Sequence, residues 1–128
     1  MFNLEELSLE FVEISELKTS KNLFGPVMYG SKMKSEETDH LFEAILSLKD
    51  LEECYRFFDD LCTFSEIQAM TQRLQVAEML EAGNTFSQIS KEIGVSSATI
   101  TRVNKCISYG ADGYKIVLKR MKEKNAHE

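Results

Sequence analysis

Apolar residues recur every three or four positions along most of the 128-residue chain, a spacing that predicts helices. The sequence lacks both long alternating runs and an Asn-Gly pair, which would favour strands and hairpins. Residues 19–32 interrupt the pattern with Ser, Asn, Gly and Pro, a composition typical of a linker. We therefore expect an all-α multi-helix bundle, with an N-terminal extension over residues 1–32 and one helical domain over residues 33–128.

Apolar stripes and capping residues place the individual helices. The spacing of Asp50 with Glu53, and of Thr63 with Glu66, is that of a capping box, in which each side chain accepts a hydrogen bond from the other residue's backbone N–H. Gly83 supplies a stop signal after the longest stripe. The predicted helices cover about residues 3–17, 36–48, 51–61, 64–81, 86–92, 97–107 and 112–124.

Residues 86–107 have the features of a helix-turn-helix. A short helix with inward-facing Ile89 is followed by Gly94, which can adopt the left-handed conformation that a sharp turn requires. Val95 is expected to fill the gap between the two helices, and Ser96 to cap the second helix with its hydroxyl. An αα-hairpin that serves only for packing remains the alternative for this segment.

The second helix of this motif has a polar outward face. Projection at 100° per residue places Ile100 and Val103 inside and a set of short polar and basic side chains outside. Such a face is expected of a recognition helix in the DNA major groove. The sequence therefore predicts a double-stranded DNA partner, with candidate DNA-binding residues Ser96, Ser97, Ala98, Thr99, Thr101, Arg102 and Lys105.

The net charge of −6 hides an uneven distribution along the chain. Residues 1–84 hold 7 of the 15 basic side chains and 17 of the 21 acidic ones, whereas residues 85–128 hold 8 and 4. The segment that contains the helix-turn-helix is thus basic. Because the local field steers association, this asymmetry favours a polyanionic partner at the C-terminal end.

Other function classes find little support. A catalytic constellation would depend on His40, because the other histidine, His127, lies in the C-terminal tail. The three cysteines form no C-x-x-C pair, so we expect reduced thiols and no metal site. No apolar run approaches the roughly 18 residues that cross a bilayer. We expect a cytoplasmic protein that is not an enzyme and has no cofactor; a protein-interaction module with a non-DNA-binding helix-turn-helix remains the alternative function.

Several short motifs give the chain a resemblance to the Trp repressor superfamily. The residues that carry it are Leu61-Cys62-Thr63, Ser65-Glu66, Arg73, Glu78-Met79-Leu80, Gly83 and Ala98-Thr99-Ile100-Thr101-Arg102. Those that resemble its uncharacterised YerC/YecD branch are Asp39, Leu41-Phe42, Leu48-Lys49-Asp50-Leu51, Cys54-Tyr55-Arg56-Phe57-Phe58 and Lys105-Cys106. The resemblance covers about residues 36–121 and leaves the extension outside.

The resemblance implies a transcriptional regulator, expected to be a repressor, that recognises a palindromic site. It also implies an intertwined homodimer, in which the N-terminal helices of two chains interlock and present two helix-turn-helix units to successive major grooves. The apolar side chains of residues 41–61 agree with this, since about 96 residues cut into short helices have difficulty burying them alone. A compact monomeric bundle remains the alternative.

The resemblance further suggests a pocket for a small-molecule effector. The positions similar to those that hold tryptophan in the Trp repressor are Thr63, Arg73 and Arg102. However, Val103 stands where the repressor has a glycine that leaves room for the indole, and Cys106 where it has a serine. A branched side chain in an aromatic slot should overlap the ligand. We therefore expect no tryptophan response, and the sequence specifies no other effector.

Overall fold

The computed structural model describes residues 29–128, so the helix predicted over residues 3–17 lies outside the described part of the chain. Six α-helices and no strand occur in that part, which confirms the all-α prediction. The helices are α1 (Glu36–Leu46), α2 (Leu51–Leu61), α3 (Phe64–Glu81), α4 (Phe86–Ile93), α5 (Ser97–Tyr109) and α6 (Gly113–Ala126).

The chain divides into two compact units, residues 1–43 and 44–128. The described part of the first unit contains most of α1, whose start is capped by Ser35: its hydroxyl oxygen accepts a hydrogen bond from the Thr38 N–H at 3.0 Å. Lys34 and Asp39 form an ion pair beside this cap. The domain boundary predicted at residues 32 and 33 stays a prediction.

The predicted helix over 36–48 was too long by two residues, because α1 ends at Leu46. The Ser47 hydroxyl donates to the Ala44 carbonyl oxygen at 2.6 Å, and the Leu48 N–H donates to the Ile45 carbonyl oxygen at 3.1 Å. These bonds reach back only three residues and close a tighter turn. The chain is then extended at Asp50, which caps the next helix.

Both ends of α3 match the sequence prediction. The Thr63 hydroxyl oxygen accepts from the Glu66 N–H at 3.2 Å, and the Glu66 carboxylate accepts from the Thr63 N–H at 3.0 Å. Gly83 has a φ of 87°, and its N–H donates to the Leu80 carbonyl oxygen. The box predicted at the start of α2 is incomplete, because the Glu53 carboxylate accepts from Lys49 N–H rather than from Asp50 N–H.

The buried core of the described residues lies entirely within the segment from α3 to α6. Half-buried apolar side chains from the same four helices pack around it. Neither α1 nor α2 contributes a buried residue. The core therefore holds the helix-turn-helix against α3 and α6, and it consists of Val76, Ala77, Ile89, Val95, Ile100, Val103 and Leu118.

Candidate nucleic-acid interface

The turn between α4 and α5 has the conformation that the sequence predicts. Gly94 adopts φ 77° and ψ 26°, in the left-handed region, and its N–H donates to the Ser90 carbonyl oxygen at 2.9 Å. Nothing lies within 4 Å of the position that a Cβ of Gly94 would occupy. The turn therefore requires glycine for its backbone conformation and not for space.

The residues on either side of Gly94 fix the angle between the two helices. The Ser90 hydroxyl donates to the Val95 carbonyl oxygen at 3.0 Å, a contact that the sequence analysis did not predict. The Val95 side chain is buried in the core next to Ile89 and Ile100. Together these contacts hold α5 against the end of α4.

The start of α4 is closed by a complete capping box, as is the start of α3. The Thr85 hydroxyl oxygen accepts from the Gln88 N–H at 3.2 Å, and the Gln88 side-chain oxygen accepts from the Thr85 N–H at 2.8 Å. The first helix of the motif extends one residue beyond the predicted end, to Ile93. Its inward side chain, Ile89, is fully buried, as predicted.

The inward and outward faces of α5 follow the sequence projection. Ile100 and Val103 are buried, with Val103 only 1% exposed. The opposite face carries the exposed residues Ser97, Ala98, Thr101, Arg102 and Lys105. Sequence reasoning thus placed these five candidate residues on an accessible surface of one helix.

Ser96 and Thr99, the two other candidate residues, are engaged at the start of α5. The Ser96 hydroxyl oxygen accepts from the Thr99 N–H at 3.2 Å and lies 3.1 Å from the Thr99 hydroxyl. Thr99 is also half-buried. The geometry therefore gives this pair a structural task, which is to hold the N-terminal turn of α5, in addition to any contact with a ligand.

The exposed face of α5 is electropositive. Within residues 29–128, neither Arg102 nor Lys105 forms an ion pair. On α6, by contrast, two lysines form ion pairs: Lys115 with Asp112 at 3.5 Å, and Lys122 with Glu81 at 3.3 Å. The charges on α5 are therefore available to an anionic partner, whereas part of the charge on α6 is compensated.

The candidate effector residues occupy different environments. Thr63 is the N-cap of α3 and lines an open groove of about 600 Å³, which the α2 side chains Leu51, Tyr55 and Phe58 also line. Arg73 is half-buried on α3, Arg102 is exposed on α5, and Val103 is part of the core. None of these last three lines the groove.

Sequence reasoning missed Tyr109, the last residue of α5. The predicted helix ended near residue 107, whereas the structure continues it to Tyr109 before Gly110. The tyrosine side chain is 87% exposed. Extending the helical projection by two residues would have placed it on the outward face, on the same side as Lys105.

The described residues carry neither a membrane span nor a metal cluster. No helix within residues 29–128 is both long and apolar enough to cross a membrane. In the same residues, no three His, Cys, Asp or Glu side chains come together in a way that could hold a metal ion.

Comparisons with known proteins agree with the fold and the motif. The family model of the Trp repressor protein matches residues 36–122. The uncharacterized protein YerC of Bacillus subtilis (strain 168) is 60% identical over 92 residues, which are 72% of this chain and 88% of YerC.

Two solved structures are also similar. A proposed Trp repressor from Staphylococcus aureus has a TM-score of 0.69 and 50% identity, and the match covers 71% of this chain and 91% of that one. A TrpR-like protein from Eubacterium eligens ATCC 27750 has a TM-score of 0.69 and 47% identity, covering 73% and 96% of the two chains.

Proposed function

Because the chain belongs to the Trp repressor family, a family of DNA-binding regulators, we propose that it is a transcriptional repressor that recognises a palindromic DNA site through its helix-turn-helix. The observation that carries this proposal is the exposed face of α5, held by a buried core on its other side. Ser97, Ala98, Thr101, Arg102 and Lys105 lie on that face.

The chemistry of the face suggests a division of tasks. Ser97, Ala98 and Thr101 belong to the first turns of α5, the part of a recognition helix that approaches base edges. Thr101 can offer a hydroxyl to a base or a methyl group to thymine. Lys105, one turn further along, is suited to a phosphate, and Arg102 adds a second cation.

Homodimerisation is the second part of the proposal. The α2 side chains Leu51 and Tyr55 are 77% and 71% exposed, and Phe64 at the start of α3 is exposed as well. Apolar surface of this kind marks an interaction site. A second copy of the chain would cover it on both protomers and would set two α5 helices about 34 Å apart, one turn of DNA.

The proposed regulator does not respond to tryptophan. Val103 packs inside the core with Val76 and Ile100. It also stands at the position that resembles the repressor's glycine, where the missing side chain leaves room for the indole. Overpacking of this kind commonly costs about 1–3 kcal/mol. Calorimetric titration with tryptophan should therefore show no binding; tight binding that also strengthens DNA binding would contradict the steric argument.

Selection of bound fragments from random and genomic DNA tests the main proposal. We expect a palindromic consensus, and a Thr101→Ala variant should change the preferred sequence by about 1–3 kcal/mol of discrimination at one position. A Lys105→Gln variant should instead weaken all sequences alike and lower the salt dependence. Equal losses on every DNA from both variants would remove the assignment of Thr101 to bases.

The salt dependence also separates DNA binding from a role as a protein adaptor. A protein that neutralises phosphates releases counterions, so its affinity should fall steeply between low and physiological salt. Binding only to proteins, with no affinity for any duplex, would replace the proposed repressor with an interaction module.

A further inference from the structure

Tyr109 is an exposed residue of α5 to which the DNA contacts proposed above assign no role. It is the last residue of the helix, and its side chain is 87% exposed. An aromatic ring so exposed is unusual for a packing residue, and a phenol brings a hydroxyl that can donate a hydrogen bond. The side chain is therefore accessible to a partner outside the chain.

The position of Tyr109 on the helix indicates where that partner lies. It follows Lys105 by four residues and Arg102 by seven, so the three side chains form one stripe along α5. Both of the preceding side chains are exposed cations. Tyr109 thus continues the cationic edge of the helix and lies away from the face that carries Ile100 and Val103.

Gly110 ensures that the helix ends directly after the tyrosine. Its N–H donates to the Cys106 carbonyl oxygen at 2.8 Å. A Cβ at this position would collide with that same carbonyl oxygen, so another residue would force the backbone to move. The chain consequently leaves the helix at a fixed point, and Tyr109 is held at its C-terminal end.

Helix length separates Tyr109 from the bases. Ala98 and Tyr109 are 11 residues apart, which is about 16 Å along the axis. The DNA major groove is about 12 Å wide, so a helix that crosses it with its first turns at the base edges would carry its last turn to the edge of the groove. The group that lies there is the sugar-phosphate backbone.

We propose that the Tyr109 phenol donates a hydrogen bond to a DNA phosphate at the edge of each half-site and so fixes the angle of α5 in the groove. The inference rests on the proposed function, because it requires a bound duplex. Tyr109 is a neutral donor, and this distinguishes it from Lys105: it adds affinity without releasing a counterion.

The test compares three variants with the native chain on one selected palindromic duplex over a range of salt concentrations. Tyr109→Phe removes only the hydroxyl and should weaken binding on the order of tenfold with an unchanged salt slope, because the two symmetric hydrogen bonds can no longer form. Lys105→Gln should lower the salt slope by about one for each phosphate that it no longer neutralises. Tyr29→Phe is the matched control: Tyr29 is an exposed tyrosine outside the helix-turn-helix, so the loss of its hydroxyl should leave DNA binding as in the native chain.

A phosphate scan identifies the group that Tyr109 binds. Methylphosphonates that replace single phosphates should weaken the native chain at one flanking position more than they weaken Tyr109→Phe, since the variant already lacks that hydrogen bond. Unchanged affinity of Tyr109→Phe, with the native chain still binding DNA, would overturn the inference and leave the proposed function intact. Failure of the native chain to bind any duplex would overturn both.

A second copy of the chain is the competing occupant of this position. Sedimentation of Tyr109→Phe without DNA distinguishes the two, because a hydrogen bond to phosphate leaves the dimer unchanged. A weaker dimer in the absence of DNA would show that Tyr109 faces the partner chain, and this result would overturn the assignment.

Discussion

Two parts of the unit formed by residues 44–128 use their apolar side chains in opposite ways. The segment from α3 to α6 buries one set of apolar side chains, among them Val76, Ile100 and Leu118, against one another in a core. In α2, by contrast, Leu51 and Tyr55 remain exposed although their helix is just as amphipathic. The helix-turn-helix is thus completed within one chain, and the exposed side chains of α2 are the surface that the proposed homodimer would cover.

The energetics support this division. Full burial of a Leu or Phe side chain contributes about 1.5–3 kcal/mol, so the groove lined by Leu51, Phe58 and Ile67 leaves a substantial part of the available stabilisation unused in a single chain. A dimer would recover this stabilisation. Substitutions in the two parts should consequently differ in whether their effects depend on protein concentration.

The largest effect is expected from Tyr55→Glu on α2. In the single chain this side chain is largely exposed, so the change should cost less than about 0.5 kcal/mol. In a dimer, the substitution would bury one unpaired carboxylate from each protomer, and each buried charge costs on the order of 3–5 kcal/mol. Sedimentation equilibrium should therefore show a monomer, and circular dichroism should show native helix content.

Asp60→Ala provides the control for that substitution, because Asp60 lies on the exposed side of the same helix and does not line the groove. It should leave the association unchanged. An intact dimer of Tyr55→Glu, or an equal loss in both variants, would contradict the assignment of the α2 groove to the dimer.

Ile100→Ala is expected to have the next largest effect, in the other part of the molecule. Ile100 is fully buried, and the loss of its side chain should lower the free energy of unfolding by about 2–5 kcal/mol. Chemical denaturation measures this change. The matched variant Ile116→Ala, at a half-exposed position of α6, should cost much less. Similar losses at both positions would contradict the location of the core.

Gly94→Ala should have a smaller effect, confined to the turn. A Cβ at a φ of 77° costs about 1–2 kcal/mol, although nothing in the structure would clash with it. Gly113→Ala is the control, since Gly113 starts α6 without a positive φ and its replacement should be neutral or slightly stabilising. Thermal unfolding compares the two. A neutral Gly94→Ala would show that the turn does not depend on the left-handed conformation.

Local signals explain how much of this structure could be predicted from the sequence. The caps at Thr63 and Ser96 and the turn at Gly94 depend on neighbouring residues only, and the structure confirms them. The Ser90 hydroxyl bond to Val95 was missed, because its partner becomes visible only when the backbone of the turn is known. Tyr109 was missed because the breaker at Gly110 marks the end of the helix only to within a few residues.

Long-range features were harder to predict. The positions similar to a tryptophan pocket are distributed over α3 and α5, and no short-range pattern specifies whether Arg73 and Arg102 meet around a ligand. The exposed face of α2 was visible as an apolar stripe, yet a stripe does not specify whether its partner is in the same chain. The folded chain shows only that Leu51 and Tyr55 stay exposed, which is the observation on which the proposed dimer rests.

Hydroxyl-radical footprinting of the native protein on its selected duplex tests the central claim most directly, because it reports DNA binding and two-fold symmetry in one measurement. We expect two protected segments per strand, centred about 34 Å apart, and their simultaneous loss in Tyr55→Glu at concentrations that keep this variant monomeric. A single protected segment bound by one chain, or no protection on any duplex, would contradict a dimeric DNA-binding repressor.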